Sequence, residues 1–243
     1  MSINKFRPPP SDTLSIHSDV SMVSKMTRST TLQVLESKNS SLYNGESVQK
    51  SDKILAAIGV LDELIAYIGI IKTEHLDPNR EEKFDIESSA KLFLSARLTQ
   101  IQETLIDIQA CIGTSKKINA KYEFTRFSTG EQRIKELENE MQMMEDVELG
   151  QIKDGMREKP LQLIPGTTIM ECKLMYARAI CRRSERHIHQ VKNAQIGIVL
   201  DDVCACYLNR LSDYFLALSI HLLHMQNKEP LKKSKKTQQS NLK

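Results

Sequence analysis

Arginines crowd one short stretch of the sequence, "YARAICRRSERHIHQ" at 176–190. Arg178, Arg182 and Arg186 follow one another at intervals of four, so on a helix they share one face, with Arg183 beside them. Like charges at that interval destabilise an isolated helix slightly, which raises the question of what compensates them. Guanidinium groups match phosphate oxygens in a bidentate way, so the stripe predicts a site for a phosphate-bearing ligand.

Polar residues of two other segments could lie close to these arginines. Asn209 and Asp213 lie four residues apart, off the apolar stripe of their segment, and only roughly six residues connect that segment to the arginine segment. Two helices joined so closely pack antiparallel, which would bring both side chains toward 182–186. The alternative is a solvated face with pairing inside one helix. Asp62 interrupts an apolar run, and a buried carboxylate needs a partner, such as an arginine of another helix or another subunit.

Metal and nucleophile chemistry are less favoured. His221 and His224 would suit a metal ion, but no Glu or Cys completes a ligand set, so the sequence predicts no metal site. Cys204 and Cys206 are interpreted as packing residues, because the sequence places no activating base beside them.

The composition is that of a helical protein. The chain has 243 residues, 40% of them hydrophobic, with no Trp and only nine Gly, which is enough for one sizeable core. Its 34 basic and 31 acidic residues balance to +3, too even to favour nucleic acid. Five cysteines without a CxxC pair favour reduced thiols in an intracellular protein. The apolar runs look too short for a membrane span, so we expect no membrane partner.

Five segments repeat apolar residues at intervals of three and four and are predicted to be helices. They are about 52–74, 85–112, 130–147, 167–191 and 197–226. We find no alternating strand pattern and no GxGxxG or GxxxxGK[ST] motif. The predicted fold is all-α, a five-helix antiparallel bundle over 34–228.

Two terminal segments flank the predicted bundle. Residues 1–33 are rich in Ser, Thr and Pro and are predicted to be disordered. Their basic and hydroxyl residues also resemble a weak mitochondrial targeting sequence, although Asp12 and Asp19 argue against it. Residues 229–243 are predicted to be a disordered basic tail.

Four segments resemble one known family. "RAICRRSER" (178–186) is similar to RAVxRRAER, and "LNRLSDYFLAL" (208–218) to LNRLSDYLF. "AAIGVLDELIAYIG" (56–69) is similar to GTxDELxSxIG, and "SLYNGESVQKSD" (41–52) to SLFTGExxxKDD. In this order and spacing they resemble the PduO-type ATP:cob(I)alamin adenosyltransferases, including the mitochondrial enzyme.

The resemblance implies a homotrimer of five-helix bundles with ATP and cobalamin at the subunit interface. The implied reaction transfers the 5′-deoxyadenosyl group of ATP, with Mg²⁺, to cob(I)alamin. A Co(II) reductase system and a cobalamin-dependent mutase are implied partners. The implied compartment is the mitochondrial matrix, or otherwise the cytoplasm.

The resemblance also assigns residues to roles. Arg178 would pair with Asp62 of a neighbouring subunit. The implied catalytic residues are Arg178, Arg182, Arg186, Asp62 and Asp213. The implied ATP-binding residues are Ser40, Ser41, Lys50, Arg182, Arg183, Glu185, Arg186 and Asn209. The implied cobalamin-binding residues are Gln162 and Tyr214.

Two segments depart from the family pattern. The glycine-rich loop TGDxGxTSL corresponds to "VLESKNSSL" at 34–42, in which both glycines are missing. A phosphate-binding loop uses Gly because its backbone takes open conformations close to the ligand. The family pattern FxLPGG corresponds to "QLIPGTT" at 162–168, so Gln162 replaces a phenylalanine that packs against the corrin. A non-catalytic trimeric homologue, acting as a cobalamin- or nucleotide-binding chaperone or scaffold, is therefore the alternative function.

Overall fold

The computed structural model describes residues 38–76, 87–114, 125–149, 164–194 and 200–226. The predictions for 1–33, for 229–243 and for Gln162 lie outside these residues. The chain divides between Ser40 and Ser41 into two units, and the second contains all the helices described below. These are α1 (Lys53–His75), α2 (Ser88–Gly113), α3 (Gly130–Leu149), α4 (Ile169–Ala194) and α5 (Asp202–Met225).

The five predicted helices are confirmed, each beginning and ending within a few residues of its predicted bounds. Asp52 caps α1, and its carboxylate accepts a hydrogen bond from the Ile54 amide at 2.9 Å. The predicted apolar stripe of α2 is buried, from Leu94 to Ile108. The stripe of α5 is likewise buried, with Phe215 at its centre. Helical periodicity therefore identified the core correctly.

Three pairs of helices that follow one another in the sequence run antiparallel, as the side-chain pairs between them show. The pairs are Lys72–Thr99 and Asp62–Gln109 for α1 and α2, and Arg97–Glu140 and Asp107–Arg133 for α2 and α3. Lys192–Asp202 and Met175–Ser219 join opposite ends of α4 and α5. Helix α4 also runs antiparallel to α1, through Arg183–Glu63 and Lys173–Glu74.

Helix α3 is the exception to antiparallel packing, because its main partner is α5 and the two run parallel. Gly130 at the start of α3 lies against Val203 at the start of α5. Ten residues further along α3, Glu140 accepts a hydrogen bond from the Tyr214 hydroxyl at 2.9 Å. An up-and-down chain of five helices makes the first, third and fifth parallel, so any contact among those three is parallel.

A buried ion pair ties α3 to the bundle. Arg97 of α2 is 7% exposed, and its Nε lies 3.0 Å from Glu140 Oε1, although the N–H is not aligned for a hydrogen bond. Burial alone would lower the pKa of the Arg97 guanidinium, but the Glu140 carboxylate and the Tyr214 ring keep it above its usual value. The charged side chain is thus held in place by its partners.

Two short strands, β1 (Asn39–Ser41) and β2 (Ser47–Gln49), form a two-stranded sheet. The sequence prediction of no strands is wrong here, because three residues are too few to show an alternating pattern. The turn between them has Gly45 at φ +78°, a conformation that favours glycine.

Helix α1 is the one helix of the described residues that is long and apolar enough to cross a membrane. The expectation that the apolar runs are too short for a span is therefore wrong for this helix. Its side chains from Ile54 to Ile71 at every third or fourth position are buried against other helices, which is the pattern of a core helix.

Candidate functional site

The arginine stripe lies on the outward face of α4. The opposite face is buried, including Ala177 and Ser184, because apolar and small residues recur there at helical intervals. Arg182 and Arg186 are exposed and Arg178 is half-buried. Within the described residues neither Arg182 nor Arg186 forms an ion pair, so both guanidinium groups face solvent.

Arg183, in contrast, has a partner inside the chain. Its guanidinium forms an ion pair with Glu63 of α1, and both side chains are about two-fifths exposed. Such a surface pair contributes only ~0.2–1 kcal/mol. A phosphate group would therefore compete readily with Glu63 for Arg183.

Helix α5 meets the arginine face at Asn209. The Asn209 side-chain amide donates a hydrogen bond to Glu185 Oε1 at 3.1 Å, and Glu185 lies between Arg182 and Arg186 along α4. The prediction that the two helices bring Asn209 to this region is confirmed.

Asp213, in contrast, pairs inside its own helix, which was the alternative interpretation. Its Oδ2 lies 3.3 Å from Arg210 Nη2, one turn back on the same helix. The same Arg210 nitrogen donates to Asn209 Oδ1 at 3.2 Å. Among the described residues Asp213 forms no ion pair with an arginine of α4. Asp213 therefore orders Arg210, and through it Asn209.

A cavity of about 600 Å³ opens beside this contact, between α3, α4 and α5. Its lining includes Glu138, Glu185, His189, Asp202, Asn209 and Arg210. Asn209 and Glu185 thus border both the cavity and the arginine face. This places two of the predicted ATP-binding residues at the edge of a space large enough for part of a nucleotide.

Asp62 and Arg178, the predicted pair between subunits, differ in their surroundings inside a single chain. Asp62 is exposed and accepts a hydrogen bond from Gln109 Nε2 at 2.6 Å, so the expectation of a buried carboxylate is wrong for the single chain. The Arg178 Nε atom is buried and has no hydrogen-bond partner within the described residues. A buried unpaired donor is costly, which leaves a partner for Arg178 to be found.

The remaining predicted ATP-binding residues lie on β1 and just after β2. Ser41 is exposed at the end of β1, and Lys50 is exposed just after β2. Ser40 is half-buried within β1. The turn itself is fixed by hydrogen bonds from the Leu42 amide to the Glu46 carbonyl and from the Gly45 amide to the Leu42 carbonyl, both 2.9 Å.

The sequence as a whole matches a known family. The family model for cobalamin adenosyltransferase matches residues 36–222. The chain belongs to the cobalamin adenosyltransferase family. The match includes the arginine stripe, Asn209 and the strands that carry Ser41, so the features described above lie within the family domain.

Curated members of the cobalamin adenosyltransferase family give the same result. The chain is 30% identical over 184 residues to corrinoid adenosyltransferase MMAB of Homo sapiens, covering 74% of this chain and 63% of that protein. It is 28% identical to the Mus musculus protein of the same name, covering 74% of this chain and 66% of that protein. The chain thus spans slightly less than two thirds of the length of these relatives.

Solved structures show that the bundle is the fold of this family. Two variants of the PduO-type ATP:corrinoid adenosyltransferase from Lactobacillus reuteri, complexed with cobalamin and ATP, superpose with TM-scores of 0.65 and 0.64. Each is 23% identical to this chain; the first comparison covers 82% of this chain and 92% of that one, and the second 81% and 94%. The five-helix bundle prediction is confirmed.

Tyr214, which is predicted to bind cobalamin, is buried in the single chain. The side chain is 1% exposed, donates to Glu140 and packs against Phe215. Burial, followed by the nearby Glu140 carboxylate, raises the pKa of its hydroxyl. In the folded single chain Tyr214 contributes to the core, so its burial lends no support to a role in cobalamin binding, which stays a prediction.

The segment before α4 contains an arrangement that the sequence analysis missed. Glu171 is buried, and its Oε2 accepts hydrogen bonds from the amides of Gly166, Thr167 and Thr168 at 2.9–3.3 Å. In return, Thr168 Oγ1 accepts from the Glu171 amide at 3.1 Å. This is a capping box, and the Thr-x-x-Glu spacing at 168–171 could have predicted it.

The capped segment also borders a second cavity of about 430 Å³. Its lining includes Tyr67, Thr167, Ile169, Cys172 and Lys173. Ile169 is largely exposed. The cavity therefore has an apolar rim at the N-terminal end of α4.

Among the described residues, no group of three or more His, Cys, Asp or Glu is arranged to hold a metal ion. Burial, followed by the neighbouring His224, lowers the pKa of His221. The five cysteines carry free thiols. Burial also raises the pKa of the Cys181 thiol well above its usual value, which disfavours a thiolate nucleophile at that position.

Proposed function

We propose that this protein transfers the 5′-deoxyadenosyl group of ATP to cob(I)alamin and releases triphosphate. The observation that carries the proposal is the exposed pair Arg182 and Arg186, one turn apart and next to the Asn209–Glu185 hydrogen bond. Relatives named corrinoid adenosyltransferase, and family structures complexed with cobalamin and ATP, support it.

The residues present fit a triphosphate. Two guanidinium groups on one helix face repel each other, and a polyanion between them removes that cost while forming charge-assisted hydrogen bonds. Lys50 would add a third positive charge from the β1–β2 turn, and Ser41 a hydroxyl donor. Mg²⁺ would be held mainly by phosphate oxygens and water, as is usual for nucleotide-bound magnesium.

In this mechanism the chain supplies no nucleophile. The reduced cobalt of the corrinoid substrate attacks C5′ of ATP, and the C5′–O bond to the triphosphate breaks. Arg182 and Arg186 would stabilise the negative charge that accumulates on the leaving triphosphate. Asn209 and Glu185 would hold the nucleotide so that C5′ is correctly oriented.

The corrinoid substrate would lie against the segment that precedes α4. Gln162 is the residue that corresponds to the family's phenylalanine. Gly166, four positions later in the sequence, lines the 430 Å³ cavity. Its apolar rim, with Ile169, suits the flat face of a large ring.

The alternative function is that of a non-catalytic homologue that binds nucleotide or cobalamin as a scaffold. Two sequence features favour it, namely the absence of both loop glycines in 34–42 and the amide at Gln162. Neither change replaces a residue of the arginine stripe, so a nucleotide-binding scaffold would keep the phosphate site and differ from the enzyme in turnover.

Titration of the purified protein with Mg²⁺-ATP in an isothermal calorimeter tests the nucleotide site. We expect saturable binding, because Arg182 and Arg186 are exposed and unpaired within the described residues. The same preparation is then supplied with preformed cob(I)alamin, and adenosylcobalamin is followed by absorbance. Binding with turnover supports the enzyme, and binding without turnover supports a nucleotide-binding homologue. No heat at millimolar ATP contradicts the enzyme and favours the scaffold.

We further propose that the protein is a homotrimer in which Arg178 pairs with Asp62 of a neighbour. The buried, unpartnered Arg178 Nε and the exposed Asp62 support this pairing. Helix α1 also exposes Ile70 on the side away from the core, an apolar surface that a second copy would cover.

Light scattering of the wild-type protein at micromolar concentration is expected to give three times the chain mass. Arg178→Ala should weaken the assembly, because it leaves the Asp62 carboxylate buried at the interface without an opposite charge, at a cost of roughly 3–5 kcal/mol if the pair is fully buried. Lys135→Ala, a charge removal at an exposed position of α3, is the control and should leave the mass unchanged. A monomeric wild-type protein would contradict the trimer.

The same proposal includes the surroundings of the reaction. A reductase system would deliver the corrinoid in its reduced state, and a cobalamin-dependent mutase would use the product. We place the protein in the mitochondrial matrix on the basic and hydroxyl-rich composition of 1–33.

A further inference from the structure

The aromatic ring of Tyr43 lies directly on the backbone of Gly113. Tyr43 belongs to the turn between β1 and β2, and Gly113 is the last residue of α2. A Cβ atom at Gly113 would overlap Cδ2 of the ring and lie 3.1 Å from Cε2. Real side chains do not tolerate such contacts, so the ring can occupy this position only because residue 113 is glycine.

Two of the four helical glycines of the described residues have such a close neighbour, and they differ in what that neighbour is. Nothing lies within 4 Å of a Cβ added at Gly59, and one added at Gly69 meets Gln102 at an ordinary 3.6 Å. Gly130 is similarly tight, but its neighbours are Phe127 and Val203, at 2.7 Å. Gly113 therefore differs from Gly130 in what it contacts, and the two form a matched pair.

The contact between Tyr43 and Gly113 joins the β1–β2 turn to the end of α2, and both parts are held by other contacts. Thr114, which follows Gly113, is buried and donates to the Ala110 carbonyl at 2.9 Å, and its hydroxyl also lies 2.7 Å from Thr125 Oγ1. On the other side, Leu42 and Val48 of the turn and β2 are buried in the core. Tyr43 itself is 63% exposed, so the Gly113 contact, rather than burial, sets where its ring lies.

We propose that Gly113 is a positioning residue of the nucleotide site. By leaving room for the Tyr43 ring, it sets how closely the β1–β2 turn approaches the end of α2. Ser41 and Lys50 lie at the two ends of the segment that contains this turn, so their distance from the arginine face depends on that approach. This inference rests on the proposed function, and Gly113 itself touches no substrate.

Gly113→Ala is expected to raise the KM for ATP about tenfold, since small misplacements of positioned groups have effects of this size or larger. The kcat at saturating ATP should change by less than about threefold, because uniform binding is lost rather than transition-state contacts. A merely structural role would lower the amount of active protein and leave the KM unchanged.

Two further variants separate positioning from general damage. Gly130→Ala introduces a comparable overlap at the start of α3, so it should lower thermal stability and leave the KM for ATP unchanged. Combining Gly113→Ala with Tyr43→Ala removes the ring that the new methyl group meets. The double variant should return to the KM of Tyr43→Ala alone, a non-additivity expected of residues in direct contact.

Amide hydrogen exchange supplies a readout that needs no ATP. Exchange in 42–50 should accelerate in Gly113→Ala and stay unchanged in Gly130→Ala.

If the wild type turns over but Gly113→Ala keeps its KM, this inference alone is overturned. If the wild type binds no ATP, the proposed function fails and this role fails with it, whatever the exchange shows. Should Gly113→Ala not fold, Tyr43→Ala decides, and an unchanged KM in that exposed-site variant overturns the inference.

Discussion

Arg186→Ala is expected to abolish most adenosylcobalamin formation while leaving the helical signal in far-ultraviolet circular dichroism unchanged. Arg186 is exposed and has no ion pair among the described residues, so its removal deprives the fold of nothing. Removing one preorganised donor from a developing charge lowers kcat by about 100- to 1,000-fold in other enzymes. For Arg186→Ala we expect a loss of kcat at the upper end of this range. Residues 34–42 lack the family's loop glycines, so the arginines would stabilise the phosphate without that loop.

The measurement is the initial rate with preformed cob(I)alamin at saturating Mg²⁺-ATP, together with the affinity for ATP. Arg126→Ala removes the same charge from an exposed position outside the helices and should keep the wild-type rate. An Arg186→Ala protein with a normal rate would show that the arginine stripe is not the phosphate site. The phosphate would then have to be sought elsewhere in the chain.

Arg97→Ala is expected to destabilise the protein by roughly 3–5 kcal/mol, the usual cost of removing one partner of a buried ion pair. Arg97 is almost fully buried, and Glu140, its partner across α2 and α3, is mostly buried as well. Among the described residues, the substitution leaves the Glu140 carboxylate with the Tyr214 hydroxyl as its remaining hydrogen-bond donor. It also removes the cation that lies 5.9 Å from the centre of the Tyr214 ring.

Urea denaturation followed by circular dichroism measures this loss. Arg133→Ala is the matched control, because Arg133 also pairs with a glutamate of α3 but is only partly buried, with Nη1 3.2 Å from Glu136 Oε2. That variant should lose less than about 1 kcal/mol, as exposed pairs do. Equal losses in the two variants would mean that burial of Arg97 does not govern its contribution.

The arginine face was predictable from sequence because it depends only on helical periodicity. Residues at intervals of four share a face wherever the helix lies, so Arg182 and Arg186 had to lie one turn apart. The contact between Asn209 and the neighbourhood of Glu185 was also predictable, since a short connection forces α4 and α5 to be neighbours.

Whether Tyr214 and Asp62 are buried or exposed could not be predicted from helical periodicity, because it depends on how the helices pack against one another. Tyr214 follows a family motif, but whether it faces ligand or core depends on the rotation of α5 against α3. Asp62 interrupts an apolar run, yet it lies on the outward side of α1 and is exposed in the single chain. A helix has two sides, and only its packing decides which of them is covered.

The sequence by itself determined the five helices, their apolar stripes, the arginine face and membership of the family, because each follows from local spacing or from the order of residues. Only the tertiary structure decided that Arg97 is buried against Glu140, that Tyr214 is a core residue and that Gly113 makes room for Tyr43. These contacts join residues that are far apart in the sequence, as Tyr214 and Glu140 are, at 74 positions from each other. Burial and close approach are properties of such distant pairs, and they arise only when the helices pack.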